Sequence, residues 1–132
     1  MSIFKDQRDF MVAAKQTVYG NDTQQAELYT RLIEEEAGEF AEACAVDVFF
    51  HDGLAETVKE AVDVIVVAAG YLISAIGPEK AQQAWNLVHE ANLAKTGAGM
   101  EKREDGKVIQ NPHYKAEIKA KLSKALEDLV KV

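Results

Sequence analysis

The sequence predicts an all-α protein: a single-domain helical bundle of four to five helices over residues 1–132, completed by dimerisation. Two observations indicate the fold class. The chain is 48% hydrophobic with only two prolines and eight glycines, a composition that excludes disorder and favours helix. Apolar residues recur at helical spacing in the long segments between turn signals. A chain of 14.5 kDa is large enough for one core and too small for two, so one domain is expected.

Turn residues mark the first two predicted helices. Apolar residues at helical spacing predict a first helix over residues 4–18. Asp22, with Gln25 three residues later, resembles a capping box, so the second helix is expected to start near Thr23 and to continue to about Phe50.

Two further helices follow a turn at residues 51–53. The third is predicted over residues 54–76 and the fourth over residues 78–96. The dipeptide Gly77-Pro78 separates them, because glycine is favoured just after a helix and proline is favoured at the first position of the next. The third helix has no charged residue after position 63 and is expected to be buried on nearly all sides, which is why a second copy of the chain is expected to cover it.

The last third of the chain is expected to form a flap and a packing helix. Residues 97–114 carry three basic side chains around a turn at Asp105-Gly106, namely Lys102, Arg103 and Lys107. A mobile basic loop suits phosphates, and the simpler alternative is a solvated hairpin. Residues 115–131 have apolar positions on one side only, which predicts a surface helix.

Charge and composition exclude several classes of function. A net charge of −7 and a pI near 5.0 argue against nucleic-acid binding, which needs clustered basic residues. The single cysteine, Cys44, fits a reducing compartment. Residues 1–20 lack the apolar segment of a signal peptide, and the uncharged run 64–78 is shorter than the about 20 residues that span a bilayer. We therefore expect a soluble, cytoplasmic protein.

Two acidic clusters lie on the second and third predicted helices, and both have the pattern of metal ligands. Their members are Glu35, Glu36, Glu39, Glu60 and Asp63. With a turn of about 100° per residue, Glu36 falls at the centre of the apolar arc of its helix, Glu39 near its edge and Glu35 further round. Glu34 points the opposite way and is expected to be solvated. Glu60 and Asp63, three residues apart, share one face of the next helix.

Carboxylates on apolar helix faces need a partner or a cation, because an isolated charge taken out of water is costly. No basic residue is an obvious partner: Lys59 and Arg31 are the nearest in sequence, and two cations cannot neutralise five carboxylates. Oxygen ligands without Cys or His favour Mg²⁺, with Mn²⁺ as a possible substitute. The simpler alternative is that these acids are solvated helix faces.

The fourth predicted helix places Asn92 and Lys95 on the same face as Trp85. Taken alone, Asn92 and Lys95 are ordinary polar residues near a helix end, where the helix dipole favours a lysine. His89 lies on this face too and is expected to be a core histidine with its hydrogen bonds satisfied.

With these motifs the chain resembles the all-α nucleoside triphosphate pyrophosphohydrolases, which include the MazG-like proteins, the dimeric dUTPases and the phosphoribosyl-ATP pyrophosphohydrolases. The similarity covers about residues 24–115 and rests on E-E-x-x-E at residues 35–39 and E-x-x-D at residues 60–63. Residues 88–95 and the stretch from Asp105 to Tyr114 resemble the MazG-like branch. Tyr29 stands where some relatives carry an arginine.

The resemblance implies Mg²⁺-dependent cleavage of a nucleoside triphosphate, with dUTP or dCTP as expected substrates, to a monophosphate and pyrophosphate. The expected metal ligands are Glu36, Glu39, Glu60 and Asp63. The expected catalytic residues are Glu36 and Glu35, the latter either a ligand of a second ion or a base that orients water. The expected substrate-binding residues are Asn92, Lys95, Lys107 and Tyr114. A homodimer or a dimer of dimers is expected.

Two other classes of protein also carry acidic helices. A helical di-iron protein needs Glu-x-x-His pairs, but the residues three positions before the histidines are Val48, Asn86 and Gln110. A non-catalytic helical dimer or adaptor, with a structural or regulatory acidic cluster, is the remaining alternative. Mg²⁺-dependent release of pyrophosphate would distinguish it from the enzyme.

Overall fold

A computed structural model describes residues 2–47, 53–96, 100–109 and 112–131. Within these ranges the chain forms helices and one short antiparallel hairpin: α1 Ile3–Ala13, α2 Thr23–Asp47, α3 Leu54–Ala94, β1 Glu101–Lys102, β2 Val108–Ile109 and α4 Pro112–Val130. The predicted all-α class is therefore confirmed. The chain divides into two compact units, Met1–Ala81 and Gln82–Val132. A single domain and its completion by a second copy stay predictions.

Helix α1 ends earlier than its apolar spacing predicted. Lys15 takes a left-handed conformation, with φ at 62°, just after the helix. The N–H of Gln16 donates to the carbonyl of Met11 at 2.8 Å, which is the bond that closes a Schellman motif. The helix predicted over residues 4–18 is therefore wrong beyond Ala13. The glycine that usually marks such an ending is absent, so the sequence carries no local signal for it.

The core of the first unit lies among α1, α2 and the N-terminal part of α3, residues 54–76. Its buried members are Met11, Val18, Tyr29, Val67 and Ile73. The ring of Tyr29 lies directly on Gly70, where an added Cβ would come within 2.1 Å of its Cε1 atom. The Tyr29 hydroxyl donates to Oε1 of Gln16 at 2.7 Å. Tyr29 is thus a core residue that holds α2 close against α3.

Helix α3 breaks at Gly77, as predicted, with φ at 81°. Pro78 has no N–H for the carbonyl of Ser74, four residues earlier. The N–H of Asp22 donates to that carbonyl instead, at 3.0 Å, and the N–H of Asn21 donates to the next one at 2.9 Å. The segment before α2 therefore caps the end of the N-terminal part of α3.

The predicted capping box forms only in part. Asp22 does cap α2, because its carboxylate accepts from the N–H of Gln25 at 3.0 Å, a bond that lowers the pKa of Asp22. The side chain of Gln25 does not return to Asp22. It bonds both backbone groups of Thr17, at 2.8 and 2.9 Å, and donates to Oγ of Ser74 at 2.8 Å. The predicted end of α2 near Phe50 lies outside the described residues.

Helix α3 is less buried in the single chain than expected. Four of its exposed apolar side chains share one side of the helix, are 37% to 54% exposed and form what we call the α3 stripe: Val58, Val62, Ile65 and Val66. By length and composition alone α3 could cross a membrane, but the core helix of a soluble protein passes the same test. A soluble, cytoplasmic protein therefore stays a prediction.

The second unit contains the C-terminal part of α3, the hairpin and α4. Gly106 has φ at 91° and its N–H donates to the carbonyl of Arg103 at 2.8 Å, which confirms the predicted turn. Residues 100–109 thus include a short hairpin. Helix α4 begins at Pro112, three residues before the predicted start, since proline suits the first position of a helix.

Candidate metal and phosphate sites

Three carboxylates from α2 and α3 meet in the first unit and form what we call the acidic triad: Glu36, Glu60 and Asp63. Each offers one oxygen, and these oxygens lie within 4.8 Å of one another. Glu60 as a whole residue is only 5% exposed, and glutamate is rarely buried to this extent. Atom Oε2 of Glu36 and atom Oε2 of Glu60 are both buried and have no hydrogen-bond partner among the described residues. Buried acceptors left in this state destabilise a fold unless a cation or water satisfies them.

The donor chemistry of the triad fits a hard divalent cation. Its donors are carboxylate oxygens, and neither cysteine nor histidine belongs to the group. Mg²⁺ and Mn²⁺ prefer such oxygen donors, whereas softer ions prefer sulfur or imidazole. The two orphaned Oε2 atoms supply acceptors that an ion could engage.

Two predicted site residues on α2 lie outside the triad. Glu39 is exposed. The negative charge of Glu36, and to a smaller extent that of Glu60, raises the pKa of Glu39, which indicates that its carboxylate lies close to the triad. Glu35 is exposed and does not belong to the triad. Glu34 is exposed, as expected from the helical geometry. The roles predicted for Glu35 and Glu39 stay predictions.

Lys59 pairs with two carboxylates of the acidic triad. Its Nζ atom lies 2.9 Å from Oδ2 of Asp63 and 3.5 Å from Oε1 of Glu60. The hydrogen bond to Asp63 and the charge of that carboxylate raise the pKa of Lys59. Lys59, which the sequence did not mark as an obvious partner, therefore does pair with two of these acids. The i, i+4 spacing from Lys59 to Asp63 on one helix was the available signal.

The second unit contains a basic cavity of about 390 Å³. Four cationic side chains line it together with Val108 and Ile109: Lys95, Arg103, Lys107 and Lys115. A smaller cavity of about 160 Å³ shares Lys95 and Lys115 with it and is also lined by Asn92. Asn92 and Lys107 thus line two cavities that share Lys95. The substrate-binding roles of Asn92, Lys95 and Lys107 stay predictions. The side chain of Tyr114, the fourth predicted member, lies outside the described residues.

Hydrogen bonds hold two of these basic side chains in place. Arg103 donates twice to the carboxylate of Asp105, at 3.0 and 2.5 Å, and this pairing lowers the pKa of Asp105. Lys95 donates to Oδ1 of Asn92 at 3.3 Å. No carboxylate belongs to the described lining of the cavity, so its electrostatic character favours an anion. Lys115 was missed in the sequence, where it looked like an ordinary lysine of a surface helix.

The face of α3 that carries Trp85 is exposed. Trp85 is 56% exposed, and His89 is exposed as well. The expectation that His89 is a core histidine is therefore wrong. Helical spacing placed both side chains on one face but could not show whether another element covers that face.

Comparisons of the chain with protein-family models, with curated proteins and with solved structures found no match. The resemblance to the all-α pyrophosphohydrolases therefore stays a prediction that rests on the two acidic motifs.

Proposed function

We propose that the protein is a Mg²⁺-dependent nucleoside triphosphate pyrophosphohydrolase that converts a (d)NTP to a nucleoside monophosphate and pyrophosphate. dUTP and dCTP are the first substrates to test. The main support is the acidic triad, in which Glu36 and Glu60 each leave a buried carboxylate oxygen without a partner among the described residues. The four cationic side chains around the cavity of the second unit match the charge of a polyphosphate.

The carboxylates divide into two proposed roles. Glu36, Glu60 and Asp63, with Glu39 beside them, hold the ion, and Glu35 or Glu36 accepts the proton of the attacking water. A bound Mg²⁺ supplies positive charge that polarises phosphate oxygens and offsets the repulsion between the carboxylates and the substrate.

The basic side chains bind the departing group. The oxygen of water forms a bond to the α-phosphorus, and the bond from that phosphorus to the bridging oxygen breaks. The electron pair leaves with pyrophosphate. As the resemblance implies, Lys95 and Lys107 bind phosphate groups of the substrate by charge-assisted hydrogen bonds.

Product analysis tests the proposal directly. Purified protein is incubated with Mg²⁺ and a panel of ribonucleoside and deoxyribonucleoside triphosphates, and the products are separated by ion-exchange chromatography. A monophosphate with pyrophosphate supports the proposal. A diphosphate with orthophosphate contradicts it, and no turnover of any nucleotide would favour the non-catalytic helical dimer.

Mg²⁺ should raise the melting temperature of the protein, and Glu60→Gln should abolish the increase. An ion that binds only the native state stabilises it in proportion to the logarithm of its concentration above Kd. Without metal, Glu60→Gln should be at least as stable as the wild type, because it removes one of the repelling charges. Differential scanning fluorimetry over a Mg²⁺ titration measures both effects.

Glu34→Gln is the matched control for this experiment. Glu34 lies on α2 and is exposed, so Glu34→Gln removes the same charge but should keep the full Mg²⁺-induced increase in melting temperature. A Glu60→Gln protein that unfolds without metal would mean that the carboxylate is structural. One that keeps the Mg²⁺ increase would mean that the triad is not the site.

The same proposal includes a homodimer or a dimer of dimers. The α3 stripe presents apolar side chains on one face of the helix, and adjoining exposed apolar side chains of this kind typically mark an interface. Two-fold association would cover the stripe in both copies. Light scattering at micromolar concentration should therefore give at least twice the mass of one chain.

Val62→Glu should convert the assembly to monomers, because it places a charge within the α3 stripe. Val12→Glu on α1 is the control, since Val12 is also about half exposed but lies outside the stripe. A monomeric wild type, or loss of assembly in both variants, would contradict an interface at the stripe.

A further inference from the structure

We infer that Lys59 is a built-in counter-cation of the acidic triad: in the metal-free protein its ammonium group occupies part of the ion's place, and a divalent ion must displace it. This inference rests on the metal site of the proposed function. It adds a residue that weakens binding of the free ion and supports the fold when the ion is absent.

The oxygens of the triad fall into two sets. The Nζ atom of Lys59 pairs with Oδ2 of Asp63 at 2.9 Å and with Oε1 of Glu60 at 3.5 Å. The Oε2 atoms of Glu36 and Glu60 have no partner in the described ranges. Lys59 therefore satisfies one side of the triad and leaves the other side open. It neutralises part of the charge but does not complete the site.

An ion and the Lys59 ammonium cannot both occupy this site favourably. The triad spans no more than 4.8 Å between its donor oxygens, so an ion that engages Glu60 and Asp63 lies close to any ammonium bonded to the same carboxylates. Two cations at such a separation repel each other even where water screens them. Binding of the ion therefore requires Lys59 to move away.

Lys59 is free to move, whereas the acids it contacts are held. The Lys59 side chain is 63% exposed, so its ammonium can rotate into water on a flexible stem without loss of core packing. The side chains of Asp63 and Glu60 are only 31% and 7% exposed. Exchange of the ion for the ammonium thus leaves the carboxylates in place.

The test compares divalent-ion binding in the wild type, Lys59→Met, Lys59→Arg and Lys5→Met, by isothermal titration calorimetry with Mn²⁺ and Mg²⁺. Lys59→Met keeps the length of the side chain and removes the competing charge, so its Kd should fall about three- to tenfold. Lys59→Arg keeps the charge and should show no such gain. Lys5 forms an i, i+4 pair with Asp9 on α1, so Lys5→Met controls for net charge and should leave the Kd unchanged.

Melting without metal gives a second, independent readout. Lys59→Met should melt at a lower temperature than the wild type in chelator, because the triad loses its only described cationic partner. When Mn²⁺ is added, the melting temperature of Lys59→Met should rise more than that of the wild type. Lys5→Met should show neither change.

The outcomes separate this inference from the proposed function. If the wild type binds the ion and Lys59→Met binds it equally or more weakly, Lys59 is an ordinary surface ion pair and the inference is overturned, while the metal site stands. If neither protein binds a divalent ion, both are overturned. Tighter binding in Lys59→Met and Lys5→Met alike would show a general charge effect and would also overturn the inference.

Discussion

Glu36→Gln and Asp63→Asn are each expected to lower kcat by about 10² to 10³ or more, since removal of one group that stabilises charge in the transition state has costs of this size. Both substitutions keep the shape of the side chain and remove its charge, so the fold should persist. Steady-state release of pyrophosphate, measured at saturating Mg²⁺, gives kcat and KM for each variant. Glu34→Gln, at an exposed position on the same helix as Glu36, should retain full activity.

Lys107→Ala separates the proposed substrate site from the proposed metal site. Lys107 lines the basic cavity, so its loss should raise KM more than it lowers kcat. Lys124→Ala is the control, because Lys124 lies on α4, pairs with Asp128 at 3.4 Å and is not part of the cavity lining. Wild-type kcat in either triad variant would mean that the triad does not take part in the reaction.

Gly70→Ala is expected to destabilise the protein by about 2 kcal/mol or more, although alanine normally stabilises a helix by about 1 kcal/mol relative to glycine. The cause is the ring of Tyr29, which a Cβ at position 70 would approach to 2.1 Å. Tyr29 cannot move aside easily, because it is buried and its hydroxyl is bonded to Gln16. Urea unfolding measures the change in the free energy of unfolding.

Gly38→Ala is the matched control for this substitution. Gly38 lies in α2, and an added Cβ there meets nothing within 4 Å, so alanine should stabilise the protein by about 0.5 to 1 kcal/mol. The cost of Gly70→Ala should also shrink in a Tyr29→Ala background, which gives it room. Equal effects of alanine at positions 38 and 70 would mean that α2 and α3 are not packed through Tyr29.

Features of the fold with a local cause could be predicted from the sequence. Pro78 lacks an N–H and Gly77 accepts a positive φ, so the break in α3 needed no tertiary information. The ending of α1 at Ala13 could not be predicted, because Lys15, an ordinary residue, takes the left-handed conformation just after it. Gln25 likewise bonds Ser74, 49 residues away, in preference to the local bond of a capping box.

The candidate site was predictable to the extent that helical geometry determines it. Position on a helix face identified Glu36, Glu60 and Asp63, because residues three or four apart share a face and an acid within an apolar arc must point inward. The same geometry placed Lys59 beside Asp63. That pair was not predicted, because the two nearby cations were weighed against all five carboxylates together. Lys115 joins the basic cavity only through the fold of the second unit.

The contacts between α2 and α3 follow a single antiparallel register that includes both core and site. Gln25 faces Ser74, Tyr29 faces Gly70 and Glu36 faces Asp63. Seven residues, about two helical turns, separate the tyrosine from the glutamate on one helix and the glycine from the aspartate on the other. The triad thus continues, with acidic residues, the line of contacts by which α2 packs against α3 in the core. One residue inserted within 30–35 or 64–69 would rotate a ligand by about 100° away from this line of contacts. A seven-residue insertion would keep the ligand on the same face of its helix. The length of chain between core and ligands is therefore part of the site.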